Sequence, residues 1–141
     1  MIFKKILIIS SLCSVFSFRS AAYETIHEMK PGVNLPNEIV QGFINGDAKV
    51  ISNYFNSSVE LIFSDNRRVY GKAQAEQVLN KFFKDNASAK GNFEFKLLHH
   101  PINKDNIQYY IGELTTGKGR YRINIYMKDQ RIYEMRVESN D

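Results

Sequence analysis

Few side chains in this sequence could do covalent or acid–base chemistry, and their spacing narrows the options. His99 and His100 are neighbours in an extended segment, so their rings point to opposite faces and cannot close on one metal ion. An inward His99 could act as a general base or as a polar pocket wall; a strand-end histidine before Pro101 with no special role is the plainer reading. His27 lies in a stretch without periodicity. Glu113 shares strand parity with Tyr109 and Ile111, which could set a carboxylate inside the fold. Burial there would raise its pKa and suit it to proton transfer. A bulge at the adjacent Gly112 would undo that parity and leave Glu113 solvated. Cys13 is the one cysteine, in the middle of an apolar run and after the bulky Leu12, which does not suit a lipoprotein peptidase. No metal-ligand spacing and no phosphate-cradling glycine loop occurs, so neither a metal nor a cofactor is predicted.

The last hairpin poses a question of register. A two-residue loop, Asp129-Gln130, pairs Met127 with Ile132 and sets Glu134 and Arg136 on the face of the isoleucines as an internal ion pair. A three-residue loop, Asp129 to Arg131, pairs Met127 with Tyr133, Ile125 with Met135 and Ile123 with Val137, so every inward residue is apolar. Burying charge is costly even when it is paired, and the turn lacks the glycine that favours two-residue loops. The three-residue register is therefore preferred. It turns Arg120, Arg122, Asn124 and Tyr126 outward beside Arg136. That strip is either a docking surface for an acidic partner or anionic glycan, or an ordinary solvated sheet face.

These residues must be carried by a chain of 141 residues that opens MIFKKILIISSLCSVFSFRSAA. Lys4 and Lys5, the apolar run Ile6 to Phe18 and the small Ser20-Ala21-Ala22 read as a secretion signal, which makes residues 1–22 the signal and Tyr23 the mature N-terminus. Thirteen apolar residues fall short of the roughly 20 that cross a bilayer. Without the signal, 119 residues and no cysteine remain, enough for one domain resting on its hydrophobic core without disulfides. Loss of Lys4, Lys5 and Arg19 lowers the formal charge from +4 to +1. That balance removes the main support for nucleic-acid binding, and no membrane span is predicted after the signal. Residues 23–34 read as a leader with Pro31-Gly32, and residues 35–141 as the single domain.

Within the domain, Ile39, Val40, Phe43 and Ile44 share a helical face that stops at Asn45-Gly46. Asp47 caps a second helix, with Val50, Ile51, Tyr54 and Phe55 as its stripe and Asn56-Ser57-Ser58 at its end. Val59, Leu61 and Phe63 alternate as a strand, turned at Asp65-Asn66 into RRVY. Gly71 opens a third helix with Ala75, Val78, Leu79, Phe82 and Phe83 on one face. Beyond Gly91 the segments NFEFKLLHH, NIQYYIGEL, RYRINIYMK and RIYEMRVE read as strands. Helices followed by a meander predict an α+β domain with helices on one face of a curved sheet.

The stretches FINGDAKVISNYFNSSVELIF, with Gly46-Asp47 at a helix junction, and YGKAQAEQVLNKFF, with Gly71 first and Phe82-Phe83 last, resemble the nuclear transport factor 2-like superfamily from about Leu35 to Val137. More narrowly, the chain resembles uncharacterised small secreted members from Bacteroidetes. The resemblance implies three N-terminal helices packed on a strongly curved, mainly antiparallel sheet that forms a cone with an internal cavity. Tyr54, Phe55, Phe83, Phe95, Tyr109 and Tyr121 are the expected cavity lining, fit for a small hydrophobic ligand; a core filled by its own aromatics fits the composition equally. The cone hosts isomerases, dehydratases, cyclases and transport adaptors, so the resemblance carries no activity. An acidic base aimed into the cavity cannot be matched to this chain, since Asp65 is explained by the turn. The leading expectation is an exported, non-catalytic domain that binds a small hydrophobic ligand or a protein partner. The alternatives are an isomerase-, dehydratase- or cyclase-like enzyme using Glu113, His99 or a tyrosine, and a homodimer or scaffold that uses the outer sheet face.

Overall fold

The computed structural model describes residues 34–89, 91–99 and 101–140. The expected secretion signal with Cys13, the expected leader up to residue 33 with His27, and His100 lie outside the described residues.

Helix α1 (Asn37–Asn45) follows Pro36, whose carbonyl accepts the amides of Ile39 and Val40. It buries Ile39 and Phe43 and ends at Gly46 in the left-handed region, φ 63°. A Cβ at Gly46 would also fall 2.5 Å from the Phe93 ring, so glycine is required there twice over. Helix α2 (Ala48–Ser52) starts at Asp47, whose carboxylate accepts the amides of Lys49 and Val50 at 3.0 and 3.1 Å. The apolar stripe predicts that this helix continues through Tyr54 and Phe55, but it stops at Ser52 and Phe55 opens strand β1 (Phe55–Phe63). Sheet pairing overrides the helical period: the Ile132 amide donates to the Tyr54 carbonyl at 2.7 Å and Phe55 pairs with Ile132. Ser64 and Asp65 turn the chain into β2 (Asn66–Gly71), one residue earlier than predicted. Helix α3 (Lys72–Asn86) then buries Ala75, Leu79 and Phe83, spaced one turn apart.

The remaining strands are β3 (Glu94–Leu97), β4 (Ile102–Lys104), β5 (Ile107–Thr116), β6 (Gly119–Lys128) and β7 (Arg131–Ser139). They join one sheet in the order β2-β1-β7-β6-β5-β3, with β4 on β5 beyond the end of β3. Every pairing is antiparallel except β1 with β7. Helix α3 packs on β1 and β2, and α1 on β3, so the helices cover a single face. The core lies between the layers, built from Tyr110 and Leu114 of β5, Ile123, Ile125 and Met127 of β6, and Ile132, Met135 and Val137 of β7.

The β6–β7 hairpin resolves its two registers by using both. Asp129 and Gln130 form a two-residue turn with φ of 49° and 59°, a primed turn whose twist suits a hairpin even without glycine. Lys128 pairs with Arg131 and Met127 with Ile132; the register then shifts, and Tyr126 pairs with Glu134, Ile125 with Met135 and Ile123 with Val137. Tyr133 is the extra residue of a β-bulge. The predicted three-residue loop is thus corrected at the turn, whereas the pairing beyond Tyr133 is the one that loop implied. Burial supplies the reason, since Ile132, Met135 and Val137 all reach the core and only one inserted residue puts positions 132 and 135 on one side. Gly112 carries no bulge in either of its pairings, opposite Ile123 and Leu97. A Cβ at Gly112 would fall 2.5 Å from the Phe95 ring, so this glycine makes room for an aromatic side chain.

Candidate functional site

Under the helices, the space that a cone-shaped cavity would occupy holds side chains. Phe43 stacks on Phe95 with centroids 4.5 Å apart and meets the edge of Phe83 at 6.1 Å. Phe83 in turn contacts Phe82 and Phe93, and Phe82 meets Tyr121 edge-on at 5.1 Å. Such offset and edge contacts suit the ring quadrupoles and add about 0.5–1.5 kcal/mol each beyond burial. The polar ends of this cluster are satisfied from within: Asn86 donates to the Phe82 carbonyl at 2.8 Å and accepts from the Tyr121 hydroxyl at 2.7 Å, which ties the end of α3 to β6. Tyr110, 1% exposed, reaches Gln108 through its hydroxyl, and burial holds its pKa above the ordinary tyrosine value.

Of the expected lining, Phe55, Phe83, Phe95 and Tyr121 belong to this packed interior. Tyr54 sits at its margin, where the hydroxyl donates to Glu38 at 3.2 Å; partial burial, then Glu38, raises its pKa. Tyr109 is on the opposite face of the sheet, stacked on Tyr126 at 4.6 Å and donating to Asn124 at 3.1 Å. Its pKa is raised by desolvation first and by Tyr126 second.

Neither acid–base candidate enters the interior. His99 is exposed in a bend after β3. Glu113 does share the face of Tyr109 and Ile111, but that is the outer face, because Tyr110, Gly112 and Leu114 point to the helices. Its carboxylate takes the Lys96 ammonium at 3.0 Å and the Asn140 amide at 3.3 Å. The Lys96 bond holds Glu113 below the ordinary carboxylate value, the reverse of the upward shift a general base requires. Among the described residues, no three His, Cys, Asp or Glu side chains gather as a metal site.

The outer face is ordered by cross-strand rows. One row alternates in sign, Lys96, Glu113, Arg122, Glu138. The next runs Ile111, Asn124, Arg136, Ile62, Arg67. A third crosses six strands as Ile102, Tyr109, Tyr126, Glu134, Glu60, Val69. Arg120, Arg122, Tyr126 and Arg136 therefore do share a face, but glutamates separate the arginines: Arg136 lies 3.7 Å from Glu134 and 3.5 Å from Glu138. The strip mixes both signs: Lys96, Glu113, Arg122 and Glu138 alternate across the strands, whereas Arg136 meets its two glutamates along its own strand.

Beside the third row, the Tyr133 bulge opens a surface hollow of about 420 Å3, lined by Glu60, Ile107, Tyr126, Met127, Lys128, Tyr133 and Glu134. A larger, more polar hollow of about 490 Å3 lies at the α2 end between Glu38, Tyr54 and the Asp129-Gln130 turn. Within it the Arg131 guanidinium donates to the Asn53 carbonyl at 2.7 Å.

The sequence matches a domain of unknown function, DUF4783, over residues 36–138. The chain belongs to the DUF4783 family. A DUF4783 protein from Bacteroides ovatus superposes with a TM-score of 0.69 at 24% identity, covering 78% of this chain and 99% of that one. The protein Rd1NTF2_04 with long sheet gives a TM-score of 0.58 at 16% identity over 72% and 94% of the two chains. A cystatin-like domain of unknown function from Nostoc punctiforme gives 0.57 at 9% identity, with 74% and 72% covered. At these identities the likeness carries the fold: three helices on a curved, mostly antiparallel sheet of nuclear transport factor 2 or cystatin type. No curated protein matches the chain.

For this DUF4783 chain, sequence reasoning missed Tyr133, Ile107 and Glu60. A signal for Tyr133 was present: the apolar positions Ile132, Met135 and Val137 are spaced three and then two, and the odd spacing marks an inserted residue. Ile107 and Glu60 carried no such mark, because their strands come together only through the sheet order.

Proposed function

We propose that this chain is an exported, non-catalytic binding domain that works through the outer face of its sheet. The n-, h- and c-region pattern of residues 1–22 supports export, and no helix among the described residues is long and apolar enough to cross a membrane. The observation that carries the reading is the division of the sheet. The helix side is filled by Phe43, Phe83, Phe95 and their neighbours, while Glu113 and His99 stand outside it, one ion-paired and one solvated.

The outer side, in contrast, keeps large apolar groups in solvent, with Val69 67%, Ile102 57% and Ile107 44% exposed. Ile102 and Ile107 are diagonal neighbours across β4 and β5, at the opposite end of the sheet from Val69, and exposed apolar groups gathered in this way mark a contact surface. A second copy of the chain is the competing occupant, favoured by Val69 and Ile102 standing at the two ends of one row; light scattering on residues 23–141 reads it directly.

The reading is tested by NMR with the hydrophobic probe anilinonaphthalene sulfonate. Shifts confined to outer-face amides support it. Saturable shifts at Phe43, Leu79, Tyr110 and Leu114 would mean that the interior opens to ligands, and would overturn it in favour of a cavity-binding or enzymatic role.

A further inference from the structure

We propose that the hollow beside Tyr133 is a binding site for a neutral carbohydrate, a mono- or disaccharide unit of a glycan. The inference rests on the outer-face reading above and names its ligand class. At about 420 Å3 the hollow lies within the roughly 300–1,000 Å3 of small-molecule sites.

Its chemistry is mixed in a particular way. Tyr126 and Tyr133 offer aromatic faces, with Ile107 beside them, and Tyr133 and Ile107 are 42% and 44% exposed. A ring face is electron-rich and attracts polarised C–H groups. The same hollow holds the carboxylates of Glu60 and Glu134, adjacent across β1 and β7, and the Lys128 side chain.

The charges do not favour an ion. Glu60 is bound by Arg67 at 2.9 Å and Glu134 lies 3.7 Å from Arg136, each through one carboxylate oxygen. The lining alone has two carboxylates against one ammonium; with the two arginines it has two against three. The site is thus within one charge of neutral either way, and it presents acceptors and donors side by side. Each ion pair also fixes its carboxylate and leaves the second oxygen able to accept a hydroxyl. An apolar C–H face on one side and several hydroxyls on its rim are the features of a pyranose ring. A purely hydrophobic ligand would strip water from Glu60 and Glu134 without replacing it, and a strongly anionic one would meet both carboxylates.

The bulge is what makes the hollow. It puts Tyr133 and Glu134, consecutive in sequence, on the same outer side, so an aromatic wall and a carboxylate come from adjacent positions.

The experiment is an NMR titration of residues 23–141 with maltose, cellobiose, lactose and diacetylchitobiose, each to about 50 mM, where a millimolar site is well occupied. The expected result is a saturable shift of amides 107, 126–128 and 133–134 with at least one sugar, unchanged by added salt. Tyr133→Ala should weaken that binding about tenfold and Glu134→Gln several-fold, while Glu113→Gln, on the same face but outside the hollow, should leave it intact. No shift at these amides with any of the four sugars overturns the proposal and leaves the outer-face reading standing. Binding of a sulfated disaccharide alone, lost as salt is raised, overturns it in favour of Arg120, Arg122 and Arg136. Sugar-induced shifts at Phe43, Tyr110 and Leu114 overturn both readings together.

Discussion

The two faces of the sheet are written on alternate residues of the same strands, and they solve opposite problems. On β6, Ile123, Ile125 and Met127 are at most 1% exposed under the helices, while Asn124 and Tyr126 between them, and Arg122 and Lys128 on either side, face outward. The helix side excludes water by size and shape, with aromatic rings filling the space and a few polar atoms, such as those of Asn86, bonded from within. The outer side is held by pairs of opposite charge. The comparison teaches that a cone-shaped fold need not be a container. Once its interior is packed, the surface left for recognition is the one with exposed apolar groups and unfilled space.

The largest expected effect separates the faces by stability. Phe43→Ala removes the ring that contacts both Phe83 and Phe95 and should cost about 3–5 kcal/mol in urea unfolding. Tyr133→Ala, on the outer bulge, should stay within about 0.5 kcal/mol. Similar losses for the two would abolish the distinction.

A smaller effect sharpens the account of Gly112. Gly112→Ala should destabilise by about 1–3 kcal/mol, because the new methyl meets the Phe95 ring. In a double-mutant cycle, Phe95→Leu should relieve part of that loss. Additive losses would show that the strain comes from the backbone, where the Lys96 carbonyl lies 3.2 Å from the same Cβ position.

The smallest effect is electrostatic and concerns the outer face. Lys96 holds Glu113 ionised below the ordinary carboxylate range, with further help from Arg120 and Asn140. A lowered folded-state pKa contributes stability that is present above the ordinary value and is lost as pH falls through the lowered one. Thermal melts of Glu113→Gln should therefore show a flatter acid limb than wild type, with the remaining slope owed in part to Asp85, held low by Lys81. An acid limb of unchanged steepness would remove Glu113 from the account.

Much of the architecture was legible from periodicity. Asp47 capping α2, Gly46 ending α1 and the apolar stripe of α3 are local signals, and each appears where the sequence places it. The end of α2 was not legible, because Tyr54 and Phe55 fit a helical stripe and yet pair with Ile132, far along the chain. For Glu113 the parity with Tyr109 and Ile111 was legible, but the side that this set faces was not. Parity groups Tyr109, Ile111 and Glu113 together without saying which set faces the helices, and Tyr110 with Leu114 took that place.

By itself, the sequence determined the α+β class, the helix caps, the alternation of the strands and the family pattern, since all of these depend on neighbours within a few residues. Only the tertiary structure decided that the interior is filled, that Tyr133 bulges, and that Glu60, Ile107, Tyr126 and Glu134 meet around one hollow. The physical reason is that these outcomes depend on side-chain volume and on pairing between distant strands. A one-residue shift in such pairing moves a side chain from the core to the solvent.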